Sequence, residues 1–172
     1  MQKKKDIQLY IDQLSAVGWF DVIEDKEKYI DSMKRLFDES GGRKFHHALP
    51  WVYYDAECVY DEGEYANLLK ELSEDSFGLF GPKLIDEKWS GTGVGSDIKV
   101  SVVTAQGEEL VATYKYKSDH LDERFYLFIE KAVQACDSRC TVYNKVGGQD
   151  GQLLIGGSDA LKKARKKRLF TK

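Results

Sequence analysis

The chain has 172 residues, 42% hydrophobic and 32% charged, with 26 Lys and Arg against 29 Asp and Glu. That length suits one domain able to bury a core, and the composition excludes a disordered chain. No apolar run approaches the roughly 20 residues that cross a bilayer, and two prolines, Pro50 and Pro82, are too few for a proline-rich linker.

Met1 to Asp6 is basic enough to begin a secretion signal, but Gln8, Asp12 and Gln13 break the apolar stretch such a signal needs. A cytoplasmic location is the expectation. Residues 5–17 place Ile7, Tyr10, Ile11, Leu14 and Val17 at the spacing of an amphipathic helix, stopped by Gly18. A second helix is predicted at about 25–39 on the stripe Tyr29, Ile30, Met33, Leu36 and Phe37, ended by Gly41 and Gly42. From Trp51 to Tyr60 the aromatic and β-branched residues predict extended chain. A short helix capped at or near Asp61 carries Tyr65, Leu68, Leu69 and Leu72, and Lys83–Trp89 reads as a strand.

Ile98, Val100 and Val102, then Leu110, Ala112, Tyr114 and Tyr116, alternate around a Gln106-Gly107 turn and predict a hairpin. The strongest helix signal spans about 119–136, with Leu121, Phe125, Phe128, Ile129, Ala132 and Val133 facing inward. Two strands, Thr141–Val146 and Gln152–Ile155, flank a glycine-rich turn, and Ser158 is expected to cap a basic C-terminal helix or tail over 158–172. The order of elements argues for α+β: one domain over 1–172, a mostly antiparallel sheet packed against several helices.

Motifs that dictate a chemistry are missing. The loop Gly91 to Gly95 precedes a strand, whereas a phosphate cradle needs a helix N-terminus behind it. Cys136 and Cys140 are four apart but have no second ligand pair, and an odd count of three cysteines fits free thiols. No Gly-x-Ser-x-Gly elbow occurs, and Asp86-Glu87-Lys88 is an acid–lysine cluster of a common kind. No catalytic residue, metal or cofactor is therefore assigned. His46 and His47, read as extended, would point to opposite faces, and His120 falls at a predicted helix start.

Charge is distributed unevenly. Residues 158–172 carry seven basic side chains against Asp159 alone, a net of +6; with the whole chain at −3, the remainder carries −9. Phe45 to Asn67 contains no lysine or arginine. There Asp55, Glu57, Asp61, Glu62 and Glu64 interleave with Trp51, Tyr53, Tyr54, Tyr60 and Tyr65. Aromatic side chains are frequent binding hot spots, and carboxylates around them draw a cationic partner. Strand alternation predicts the opposite outcome, aromatics in the core and acids in solvent.

In size, charge pattern and absence of motifs, the chain resembles the small acidic immunity proteins that neutralise bacterial toxins. That resemblance implies a non-enzymatic binder meeting a basic toxin through residues 51–65. A second expectation is a hydrolase or nuclease with a site drawn from His46, His47, Asp55, Glu57 and His120. A third is nucleic-acid binding through 162–168, which an otherwise acidic domain opposes. No membrane partner is expected, and the oligomeric state is left open.

Overall fold

The computed structural model describes residues 6–147 and 149–170; the basic N-terminal stretch up to Lys5, Gly148 in the glycine-rich turn and Lys172 of the tail lie outside them. Its elements are α1 (Ile7–Ser15), α2 (Lys26–Glu39), a 3₁₀ turn (Phe45–Ala48), β1 (Val52–Asp55), α3 (Glu64–Asp75) and β2 (Leu84–Trp89). β3 (Asp97–Val103), β4 (Glu109–Lys115), α4 (Phe125–Cys136), β5 (Cys140–Gly147), β6 (Asp150–Gly157) and α5 (Ser158–Lys166) complete it. The α+β class holds. The strands, however, form two three-stranded antiparallel sheets rather than one, in the orders β1-β6-β5 and β2-β3-β4.

The helices bury the stripes their spacing dictates. Tyr29, Met33 and Phe37 of α2 are fully buried, as are Phe125, Ile129, Ala132 and Val133 of α4, and Asp6 and Asp25 cap α1 and α2 through their side chains. In β3, Ile98, Val100 and Val102 have no exposed surface, so the inner face of this sheet belongs to the core. α3 packs against β1 and β2, while α4 packs against β4 and β5, so these two helices tie the sheets together.

Several boundaries depart from the sequence reading. Extended chain was expected from Trp51 to Tyr60, but β1 ends at Asp55, where the side chain accepts the Glu57 amide at 2.8 Å and bends the backbone away. α4 begins at Phe125 rather than near 119, because the preceding residues are engaged elsewhere. The Val59 amide donates to the Asp119 carbonyl at 2.7 Å, and the Leu121 amide to the Ala56 carbonyl at 2.8 Å. His120 consequently lies in a loop. His46 and His47 occupy the 3₁₀ turn, not extended chain, with ring centroids 4.3 Å apart.

α3 shows how the two halves are joined. Its N-cap is Gly63 at φ 115°, which offers no side-chain cap, and Asp61 does not supply one. Glu87 of β2 does the work instead: one carboxylate oxygen accepts the Ala66 amide at 3.0 Å and the other the Trp89 indole at 2.6 Å. A carboxylate suits the positive end of the helix dipole, and its bonds are charge-assisted. Glu87→Gln, which replaces one acceptor by a donor, is expected to destabilise the fold by about 1–2 kcal/mol in chemical denaturation. A variant as stable as the wild type would remove Glu87 from this role.

The C-terminal helix is docked rather than frayed. Ser158 is its first residue and donates its amide to the Arg139 carbonyl; Gly157 is the N-cap, so Ser158 is not the cap its side chain suggested. Ala160, Leu161 and Ala164 are buried. At the far end Arg168 takes φ 56°, and the Arg168 and Leu169 amides bond back to the carbonyls of Arg165 and Ala164. This Schellman turn reverses the chain and returns Phe170 to the core.

Candidate functional site

β1 separates its residues by alternation. Val52 and Tyr54 turn inward, while Tyr53 is 60% exposed and Asp55 lies beside it in solvent. The Tyr54 ring packs against Tyr126, and its hydroxyl donates to Asn144 Oδ1 at 2.9 Å. Trp51 is buried against Tyr143 and Phe170, its indole donating to the His46 carbonyl. Tyr65 stacks on Tyr114 and accepts the Asp122 amide at 2.9 Å; burial pushes its phenol up to about 12. Of the ten candidate binding residues, Trp51, Tyr54 and Tyr65 therefore belong to the core.

The other seven reach the surface. Asp55, Asp61 and Glu62 are exposed, Glu57 and Glu64 half-buried, and Tyr60 stands 65% exposed. Desolvation and then the carboxylates of Asp119, Asp55 and Glu57 raise the Tyr60 phenol, so this ring is ringed by acids. Glu62 also accepts the Trp89 amide at 3.2 Å, holding the 61–64 turn against β2. Beside Tyr53 and Asp55 lies an open hollow of about 680 Å³, bounded by Lys145, Asp150 and Gln152. Asp55 links the hollow to the acidic cluster.

Two further residues join the cluster from a distant part of the chain. His120 Nε2 lies 3.0 Å from Glu57 Oε1, and Nδ1 lies 2.9 Å from Asp119 Oδ1. His120 figured only in the enzymatic expectation, and Asp119 in none. The backbone pairing of 56–59 with 119–121 brings them in, a contact without a local sequence signal.

The five residues of the enzymatic expectation divide. Asp55, Glu57 and His120 share the acidic surface, whereas His47 lines a separate hollow of about 640 Å³ between α2 and the end of α3. The nucleophile nearest in sequence, Cys58, is pushed up to about 11 by burial first and then by Glu64 and Asp55. A reactive thiol needs the opposite shift. Cys136 closes α4 and Cys140 opens β5, and among the described residues no group of three His, Cys, Asp or Glu side chains is placed to hold a metal ion. The Gly91–Gly95 loop connects β2 to β3, with no helix behind it. Asp86 pairs with Lys88 at 3.1 Å on the outer face of its sheet, while Glu87 turns inward.

No protein-family model, curated protein or solved structure matches this chain. The basic residues Lys162, Lys163, Lys166, Lys167 and Arg168 are exposed, and Arg165 lies over the Tyr143 ring with its guanidinium carbon 5.5 Å from the centroid. No helix among the described residues is long and apolar enough to cross a membrane.

Proposed function

We propose that this chain is a non-enzymatic, cytoplasmic binding protein of the immunity type, which receives a basic protein on the surface formed by Tyr53, Asp55, Glu57, Tyr60, Asp61 and Glu62. The observation that carries this reading is the exposure of Tyr60 among the carboxylates of Asp55, Glu57 and Asp119. A large aromatic left in solvent within a field of one sign offers contact area and electrostatic steering to a cationic partner. Asp119 and His120 extend the surface beyond the 51–65 segment, and Tyr54 packs behind Tyr53 and Asp55 on the inward face of β1.

The test is capture of a basic protein from lysate of the native host, followed by titration of the purified partner. Tyr60→Ala is expected to weaken binding by about 2 kcal/mol, or roughly 30-fold. Asp55→Lys combined with Glu57→Lys should slow association, and raised salt should do the same to the wild type. Co-expression with the captured protein should relieve any toxicity it has, and the charge-reversed chain should not. A partner whose binding is indifferent to all three substitutions would refute the proposed surface.

A further inference from the structure

β4 is an edge strand, and the pattern of its hydrogen bonds shows which groups it leaves open. The Tyr116 amide donates to the Ser96 carbonyl at 2.9 Å, and β4 continues that register with Tyr114 opposite Ile98, Ala112 opposite Val100 and Leu110 opposite Val102. In an antiparallel ladder alternate residues direct their amide and carbonyl to the same neighbour. Leu110, Ala112 and Tyr114 thus bond β3, while the amides and carbonyls of Glu109, Val111, Thr113 and Lys115 face the open edge.

Proteins usually protect such an edge with proline, a bulge or an inward charge. Leu110 to Tyr114 contains none of these. Alongside runs a groove of about 420 Å³ between β4 and α4, lined by Val111, Thr113, Arg124, Leu127, Phe128 and Lys131. Val111 is 47% and Leu127 61% exposed, so the groove is apolar in its middle and open to solvent. The other edge of this sheet is engaged differently, since the outward amide of Trp89 in β2 is already bonded to Glu62.

We infer that β4 pairs with β4 of a second copy of this chain, antiparallel about a two-fold axis through Ala112. The strand Glu-Leu-Val-Ala-Thr-Tyr-Lys is self-complementary in that register. Val111 meets Thr113 of the other copy through the open amides and carbonyls, Leu110 falls opposite the buried Tyr114 in the register, and Glu109 meets Lys115 at both ends. Opposite charges directly across a strand pair stabilise it, and like charges there oppose it. Lys115 is 56% exposed and already lies 2.7 Å from Asp97 of its own sheet, so the second Glu109 adds a carboxylate to an accessible ammonium. Leu127 gives the incoming strand an apolar floor. The outcome is a continuous six-stranded sheet with an isologous interface.

Sedimentation over a dilution series of the full chain tests the pairing. The wild type is expected to shift towards twice the 19.6 kDa chain mass as concentration rises. Glu109→Lys and Lys115→Glu should each sediment as monomer, because each places like charges at both ends of the pair. Mixed together they should form a heterodimer, since every end then joins opposite charges. Val111→Pro should also be monomeric with an unchanged circular dichroism spectrum, as it removes an amide that β3 does not use. A wild type that is monomeric at every concentration, a dimer that survives Val111→Pro, or charge variants that do not restore pairing when mixed would overturn the inference.

Discussion

Phe170→Ala is expected to lower the unfolding free energy by about 3–5 kcal/mol, the usual range for removing a buried phenylalanine side chain. In a chain of this size that corresponds to a fall of roughly 10 °C in the midpoint of thermal unfolding. The ring is 3% exposed and meets Trp19, Trp51 and Tyr143 in edge-on contacts, with centroids 5.8, 6.0 and 5.3 Å away. These neighbours come from the turn after α1, the entry to β1 and the middle of β5, so collapse into the vacated space would have to move three elements at once. The cost should therefore fall in the upper part of the range. Hydrogen exchange should show α5 opening first, because the Schellman turn is held in place by the residue it delivers. If Phe170→Ala unfolds within 2 °C of the wild type, the tail is not anchored in this way.

That anchoring marks the limit of what the sequence displays. Periodicity is a local property, so α2, α3, α4 and the β3–β4 hairpin are legible in the spacing of their apolar residues. The tail is not, because Leu161, Ala164, Leu169 and Phe170 make a sparse stripe whose partners lie in distant segments. Division into two sheets is equally hidden. β1 pairs with β6 across most of the chain, with Val52 opposite Leu153, and no turn chemistry announces a pairing of that separation. Glu87 is hidden for a related reason. Its two hydrogen bonds matter because β2 passes the start of α3, whereas in sequence it sits in an unremarkable acid–lysine cluster.

The proposed binding surface is half legible in the sequence. Strand alternation separates Tyr53 and Asp55 from Val52 and Tyr54, and the absence of lysine and arginine from Phe45 to Asn67 marks an acidic surface. Composition alone does not sort Trp51 and Tyr65 from Tyr60. Trp51 is claimed by Phe170 and Tyr143, Tyr65 by Tyr114, Phe125 and the Asp122 amide, and each of these contacts is long-range. Tyr60 stays exposed because the chain after Asp55 leaves the sheet to pair with 119–121. The same excursion carries Asp119 and His120 to Glu57, which is why the site gains two residues that the segment itself does not contain.

Gly151→Ala is expected to destabilise the protein by about 3 kcal/mol, combining an overpacking cost of about 1–3 kcal/mol with a lost hydrogen bond of about 1 kcal/mol. A Cβ at this position would lie 2.0 Å from the Tyr54 ring and 2.1 Å from its hydroxyl oxygen. Backbone strain plays no part, since Gly151 is not among the residues with positive φ. The cost comes from Tyr54, which has no cheap escape: its ring is held against Tyr126 and its hydroxyl against Asn144. A double-mutant cycle with Tyr54→Leu isolates that cause. Once the smaller side chain has removed the clash, adding Gly151→Ala should cost less than about 1 kcal/mol, a strong departure from additivity. Additive costs would instead place the strain in the β1–β6 pairing. The substitution also separates support from contact at the proposed surface: Tyr54 lies between Tyr53 and Asp55 on β1, so moving its ring tilts both. Folded Gly151→Ala should then bind a basic partner more weakly although no surface side chain has changed.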